Sequence, residues 1–326
     1  MTRVLVTGAG SAAALAFVDS IRAQRVSLFL GDTDPRSPGL SLVPAERRIG
    51  LPRLGGSVFA EVLLQACAEH EIDVVVPTRS AELISLARRR HRFQALGTTL
   101  MLPSTASLET ALDRWSLYRV CDGLVHRPRT AVFGAGVDLS RWRYPLVLKP
   151  RFRADPRPVH VVGSLAEAQR LRRDHALLVQ ELLPGDEVEV DVLAGPLGSI
   201  VASVPRDVDG SDARVHHCSD AIAAAGRVVR ALRLSYASTV KFRRDRDGRL
   251  ALVDVVPRIS RGMTASVAAG VNMPWLALQL AQGESMPSNA HVFREVVFRG
   301  AAAPEYAPME TLLARSALSG DLELAS

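Results

Sequence analysis

Short apolar runs alternate with amphipathic ones along the first hundred residues. VLVT at 4–7, SLFLGD at 27–32 and DVVVPT at 73–78 have the length and texture of buried strands. Between and after them, 12–23, 58–69 and the arginine-rich 81–93 carry helical periodicity. Apolar strands separated by helices predict a parallel α/β sheet covered on both faces. Loops rich in Pro and Gly at 34–44 and 52–57 join these units.

From about Pro103 the pattern changes. The stretch 107–123 predicts one helix, with Ser107 as N-cap and Gly123 at its end. Strands are expected at 144–150, 176–183 and 187–195, the last strictly alternating as EVEVDVLAG, and helices at 165–173 and 219–232. The segment 238–256 reads as a hairpin turning at Asp247–Gly248, a dipeptide that favours a type I′ turn. Residues 266–283 are mostly helical in pattern. Antiparallel hairpins mixed with helices make this second part α+β.

The chain has 326 residues, more than one ordinary core holds. No apolar run reaches the ~18–20 residues of a membrane span, which argues against membrane insertion. MTRVLVTGAG enters a strand and a glycine turn with no leader pattern, and Cys67, Cys121 and Cys218 are odd in number and far apart. Both features predict a reduced, cytoplasmic protein without a disulfide framework or zinc site. The net charge of +6 is spread over amphipathic segments with only 5% aromatic residues, so nucleic acid is not an expected partner. Of the 40 basic residues only Lys149 and Lys241 are lysines. In such a chain a lysine marks a place where a compact ammonium is needed and a planar guanidinium will not do.

Two constellations suggest chemistry without carrying it far. GAGSAA at 8–13 follows a strand, opens a helix and is followed by Asp32 at the end of the second strand, which is the dinucleotide fingerprint. It is the weakest of the functional readings, because glycine turns of this kind serve many purposes. RVHHC at 214–218 invites a metal, but His216 and His217 would point to opposite faces of a strand with no further ligand close by.

A longer series lies in the second part: DRWSLYR (113–119), YPLVLKPR (144–151), VQELLPGDEVEVDVL (179–193), VKFRRDRDGRLALVDVVPRISRG (240–262) and AAGVNMPWLALQLAQGE (268–284). This succession resembles the ATP-grasp superfamily, most closely the branch similar to the large subunit of carbamoyl-phosphate synthase. The resemblance implies a Rossmann-like pre-ATP-grasp domain at 1–103, a two-lobed ATP-grasp domain at 104–302 and a C-terminal extension at 303–326. It also implies ATP as cofactor, Mg²⁺, small carboxylate and amine substrates, and pairing as a homodimer. The implied reaction activates a carboxylate as an acyl phosphate for attack by an amine.

Carried over position by position, the resemblance gives Lys149 and Arg114 the nucleotide phosphates, Gln180–Glu181–Leu182 the adenine hinge and Glu187 the ribose. Asp254 becomes a metal and nucleotide ligand, and Arg258 a substrate-side or phosphate arginine. Departures from the family pattern are concentrated where phosphate and metal are handled. The flap at 151–160 contains no glycine, leaving Arg151, Arg153 and Arg157 as candidate anion clamps. Lys241 and Val256 stand where active members carry metal ligands, and neither offers the oxygen a hard cation wants. Lys241 is therefore expected to stand in for a metal, pairing with Asp254 in the free protein. The competing reading is a non-catalytic ATP-grasp-like protein that binds a nucleotide, an anion or a protein partner.

Overall fold

In the computed structural model, residues 1–54 and 57–299 are described; the expected extension at 303–326 lies outside them. The first part contains β1 (Thr2–Thr7), α1 (Ala12–Ser20), β2 (Val26–Asp32), β3 (Arg48–Gly50), α2 (Ser57–Glu69), β4 (Val74–Val76), α3 (Ser80–Ala87), α4 (Arg90–Ala95) and β5 (Thr99–Leu100). Its five strands form a wholly parallel sheet in the order β3-β2-β1-β4-β5. The apolar strands thus bury both faces. Val4 and Val6 pack on one side with Phe17 of α1, and Leu5 and Val75 on the other with Phe59 and Leu83 of α2 and α3. The single helix expected at 81–93 is interrupted between α3 and α4.

The predicted helix at 107–123 is also two: α5 (Thr105–Leu112) and α6 (Arg114–Val120). Ser104 rather than Ser107 caps α5, accepting from the Ser107 amide. Asp113 breaks the run. It is extended (φ −101°, ψ 101°) and caps α6 through the Trp115 amide, while Arg151 grips both its oxygens at 2.8 and 2.6 Å. A tertiary ion pair has overridden helical periodicity here.

A four-stranded antiparallel sheet, β6-β9-β7-β8, follows from β6 (Thr130–Val132), β7 (Leu146–Pro150), β8 (His160–Val162), α7 (Leu165–Arg170) and β9 (Leu177–Glu181), and has its own small core around Phe133, Trp142 and Leu148. The six-stranded sheet β14-β13-β10-β11-β12-β15 is built from β10 (Glu187–Ala194), β11 (Ile200–Asp209), β12 (Asp212–Val215), α8 (Ser219–Ala231), β13 (Tyr236–Arg244), β14 (Leu250–Val256), α9 (Met263–Ala268), α10 (Met273–Ala281) and β15 (Val296–Phe298). The β13–β14 connection is not a type I′ turn. Asp245 and Arg249 close a three-residue loop in which only Gly248 has positive φ (+79°), the arrangement with one left-handed residue.

Alternation along β10 divides this sheet. Val188, Val190 and Val192 join Ala221, Ala225 and Val228 of α8 in one core, so Glu187, Glu189 and Asp191 must face the other way. On that side α9 and α10 share a core with Phe17 of α1, through Met263, Met273 and Ala277. The N-terminal sheet is thereby fixed against the six-stranded sheet, with the start of α1 turned to its charged face.

Candidate functional site

The floor of the site is a row of charges across four strands. In register, Arg206 of β11 lies opposite Glu189 of β10, Glu189 opposite Lys241 of β13, and Lys241 opposite Asp254 of β14. Their signs alternate. Directly opposed residues sit close enough for side chains of opposite charge to attract.

At the inner end, Arg206 is buried and ion-paired to both Glu189 and Asp191, and Asp191 also accepts from Thr239 and Ser266 at 2.7 Å each. A Cβ at Gly262 would collide with the Arg206 guanidinium, so a larger residue there would have to displace that ion pair. At the outer end, Asp254 is buried. Its Oδ2 receives Arg114 at 3.0 Å and also Arg153, and its Oδ1 accepts the Val255 amide at 2.9 Å. Burial would raise this carboxyl's pKa, but the charges of Arg153, Arg114 and Lys149 hold it below the usual carboxylate value.

The expected Lys241–Asp254 pair does not form, although register places the two residues opposite each other. Lys241 turns instead to Glu187, at 3.2 Å, and to Glu189. The cause is local charge: two carboxylates lie on the β10 side, while the carboxylate on the β14 side is already matched by two guanidiniums. Burial would lower the Lys241 pKa, but Glu189 and Glu187 together raise it, so the ammonium stays charged.

Six expected site residues converge. Arg114, Lys149, Gln180, Glu181, Leu182 and Asp254 line one cavity of about 360 Å³, walled by Val147, Val161 and Val253. Lys149 is buried, and its Nζ meets only neutral groups: the Tyr118 hydroxyl at 2.9 Å and the Val253 carbonyl at 3.4 Å. Among the described residues no carboxylate pairs with it. Gln180 spends its side chain on structure, donating to Tyr118 and Thr130 at 3.0 and 2.8 Å. Tyr118, which sequence pattern marked only as part of a helix, is the hub of this network and donates to the Val253 carbonyl at 2.6 Å.

Lys241 and Arg258 line an adjoining cavity of about 670 Å³, together with Arg153 and with Ser11, Thr78 and Arg79 from the N-terminal sheet. Burial, with Arg153 and Arg79 nearby, pushes the Arg258 pKa down to about 10, against an opposing pull from Glu82. Glu187 is not among the residues lining the first cavity; it faces Lys241 in a third space of about 430 Å³. Of the candidate clamps, Arg151 is committed to Asp113, and Arg157 to Asp155 and Asp174. Arg153 alone reaches the charged row.

A hard divalent cation does not fit this donor set. Asp254 is flanked by an ammonium position and a valine, and its oxygens are taken by guanidiniums and an amide. Among the described residues no three His, Cys, Asp or Glu side chains gather to hold a metal. His216 pairs with Asp207 at 2.9 Å and His217 stacks on Phe293, so the two histidines separate.

The dinucleotide fingerprint is likewise consumed by its own fold. Asp32 accepts from the Gly10, Thr33 and Asp34 amides and the Ser37 hydroxyl. Burial alone would raise its pKa, but these bonds and Arg79 lower it. The carboxylate a ribose would need is already saturated.

Two family profiles match the chain: "ATP-grasp in the biosynthetic pathway with Ter operon" over residues 173–302, and "PylC-like, N-terminal domain" over residues 4–101. No curated protein sequence matches it. Among solved structures, L-amino acid ligase from Bacillus licheniformis is similar with a TM-score of 0.72 at 17% identity, over 91% of this chain and 78% of that one. N5-carboxyaminoimidazole synthase from Aspergillus clavatus, in complex with ADP and 5-aminoimidazole ribonucleotide, has a TM-score of 0.72 at 15% identity, over 98% and 86% of the two chains. Biotin carboxylase from Campylobacter jejuni reaches 0.69 at 15% identity, over 90% and 73%. At these identities the likeness is one of fold.

Proposed function

From the premise that this chain has an ATP-grasp fold, we propose that it is an ATP-dependent ligase acting on a small carboxylate and an amine. The observation that carries the reading is Lys149: a buried ammonium with only neutral partners, facing a cavity lined by Arg114, the 180–182 hinge and Asp254. Such a cation has no direct ion-pair partner, only the longer-range attraction of Asp254, and is open to an arriving anion. In this reading Lys149 and Arg114 hold the nucleotide phosphates, and the apolar walls with the hinge hold the base. Bound polyphosphate competes with Asp254 for Arg114 and Arg153. The ribose role that the resemblance implies for Glu187 lacks such support, because Glu187 lies outside this cavity and pairs with Lys241.

The neighbouring positive cavity takes the substrate carboxylate, with Arg258 as its partner. A carboxylate oxygen attacks the γ-phosphorus, giving an acyl phosphate and ADP. The amine then attacks the acyl carbon and phosphate leaves. Because the donor set does not fit Mg²⁺, charge on the transferring phosphoryl group falls to Lys149, Arg153 and Lys241, which predicts a slow reaction. Free Cys67, Cys121 and Cys218 support a reducing compartment, the cytoplasm.

Incubating the protein with ATP, a panel of carboxylates and hydroxylamine tests this directly, since an acyl phosphate is trapped as a hydroxamate. Carboxylate-dependent hydroxamate supports a ligase. ATP binding without any hydroxamate or ADP favours the second reading, a nucleotide-binding protein without turnover, which the guanidinium clamp on Asp254 supports.

A further inference from the structure

At the far end of β13 from the charged row lies a cavity of about 570 Å³ that shares no lining residue with the two cavities of the proposed nucleotide and substrate sites. Tyr236, which lines it, is five residues along the strand from Lys241, or about 17 Å at the rise of an extended chain. The volume falls in the range of small-molecule sites. Its surface is mostly apolar, from Leu102, Leu197, Leu232 and Leu280, with α5 forming one wall.

Two features set this cavity apart. First, Arg90 lines it without a counter-ion. Its guanidinium donates only to the carbonyls of Leu100, Leu102 and Pro103, at 3.3, 2.6 and 2.6 Å, and among the described residues no carboxylate pairs with it. Guanidinium has five donors, so three backbone bonds leave two for another acceptor. The Tyr236 phenol is near enough for the charge of Arg90 to oppose the upward shift that burial imposes on its pKa. Second, backbone strain concentrates here. Leu197 (φ +58°), Arg233 (φ +50°) and Tyr236 (φ +62°) line the cavity, and Glu71 is the one other described non-glycine residue with positive φ. Left-handed backbone at such residues costs free energy and collects at ligand sites.

We propose that this cavity is a second ligand site, separate from the cleft, which takes a small monocarboxylate with an apolar body. The carboxylate meets one of the remaining N–H groups of Arg90 and the Tyr236 hydroxyl, and the apolar part lies along the leucines. A single unpaired guanidinium suits one negative charge, and the apolar walls disfavour a phosphate ester.

Isothermal titration of the full chain with phenylacetate and hexanoate, and with phenylacetamide and hexanamide as uncharged controls, tests the proposal. At least one acid should bind saturably, and its amide at least about tenfold more weakly. Arg90→Gln should weaken acid binding by at least about tenfold. That variant also loses bonds to three carbonyls, so Ala106→Phe, on the exposed wall from α5, serves as the independent block and should abolish binding. Saturating ATP and the variant Lys149→Met should leave acid binding unchanged, which separates this site from the cleft. Absence of saturable acid binding up to about 5 mM, equal affinity for acid and amide, binding that survives Ala106→Phe, or displacement by ATP would each overturn it. The first of these is also the outcome expected if another segment or a second copy of the chain covers the cavity.

Discussion

Two places in this chain have the sequence of a nucleotide site, the glycine turn at 8–13 and the Lys-Pro strand at 146–150, and the structure treats them in opposite ways. Asp32 beside the glycine turn has three donors from its own loop and a fourth from the turn, the Gly10 amide. Lys149 is buried against two neutral oxygens. A motif that has satisfied its own charges serves the fold, whereas one that keeps a charge without a direct ion pair at a cavity is available to a ligand. The same contrast holds within the cleft, where buried Arg206 has two carboxylates and Lys149 has none.

The sharpest way to break this contrast is to remove both kinds of buried cation. Arg206→Leu leaves Asp191 without an ion pair and Glu189 with Lys241 alone, and should cost about 3–5 kcal/mol of stability in a denaturation curve. Lys149→Met should leave the melting temperature unchanged or slightly higher, while ATP affinity falls by about tenfold or more. Equal destabilisation by the two substitutions would erase the distinction between them.

Asp32→Ala comes next. It should destabilise by about 1–3 kcal/mol, through the lost acceptor for buried donors, without changing ATP affinity or creating NADH binding.

Acid titration separates two carboxyls by sign. Asp254 has a lowered native pKa, so its contribution is present above the unfolded value of about 3.9 and is lost as pH falls through the native one. Glu82 is buried, and desolvation raises its pKa despite bonds from the Arg79 amide and the Thr7 hydroxyl. Its contribution is therefore full below the unfolded value of about 4.3 and is lost as pH rises through the native one. Denaturation series on Asp254→Asn and Glu82→Gln should flatten the profile in these opposite directions.

Ser104→Ala should cost the smallest amount, about 0.5–2 kcal/mol, as the cap of α5.

Strand alternation was legible, whereas the helical runs at 81–93 and 107–123 were each read as one helix and are two. EVEVDVL announces a two-faced strand, and Glu187, Glu189 and Asp191 do share the charged face. The two lysines stood out because every other basic residue is arginine, and both line the proposed site cavities. What escaped is what only tertiary contact decides. Arg206 is one of 38 arginines, and nothing local marks it as the buried partner of two acids. Tyr118 looks like any helical aromatic until β7, β9 and β14 bring Lys149, Gln180 and Val253 to its hydroxyl. Strands β3, β5, β6 and β8 have only two or three residues each, too few for periodicity to show. The expected Lys241–Asp254 pair rested on the metal positions that the resemblance implies, and these do not say which of several nearby carboxylates wins.

The central claim is that side-chain cations hold a polyanion in the cleft without help from a divalent ion. Titrating a non-hydrolysable ATP analogue into the chelator-treated protein measures it most directly. The account predicts saturable binding that Lys149→Met abolishes and that added Mg²⁺ does not strengthen. Binding that appears only when Mg²⁺ is supplied, or that persists undiminished in Lys149→Met, would contradict it.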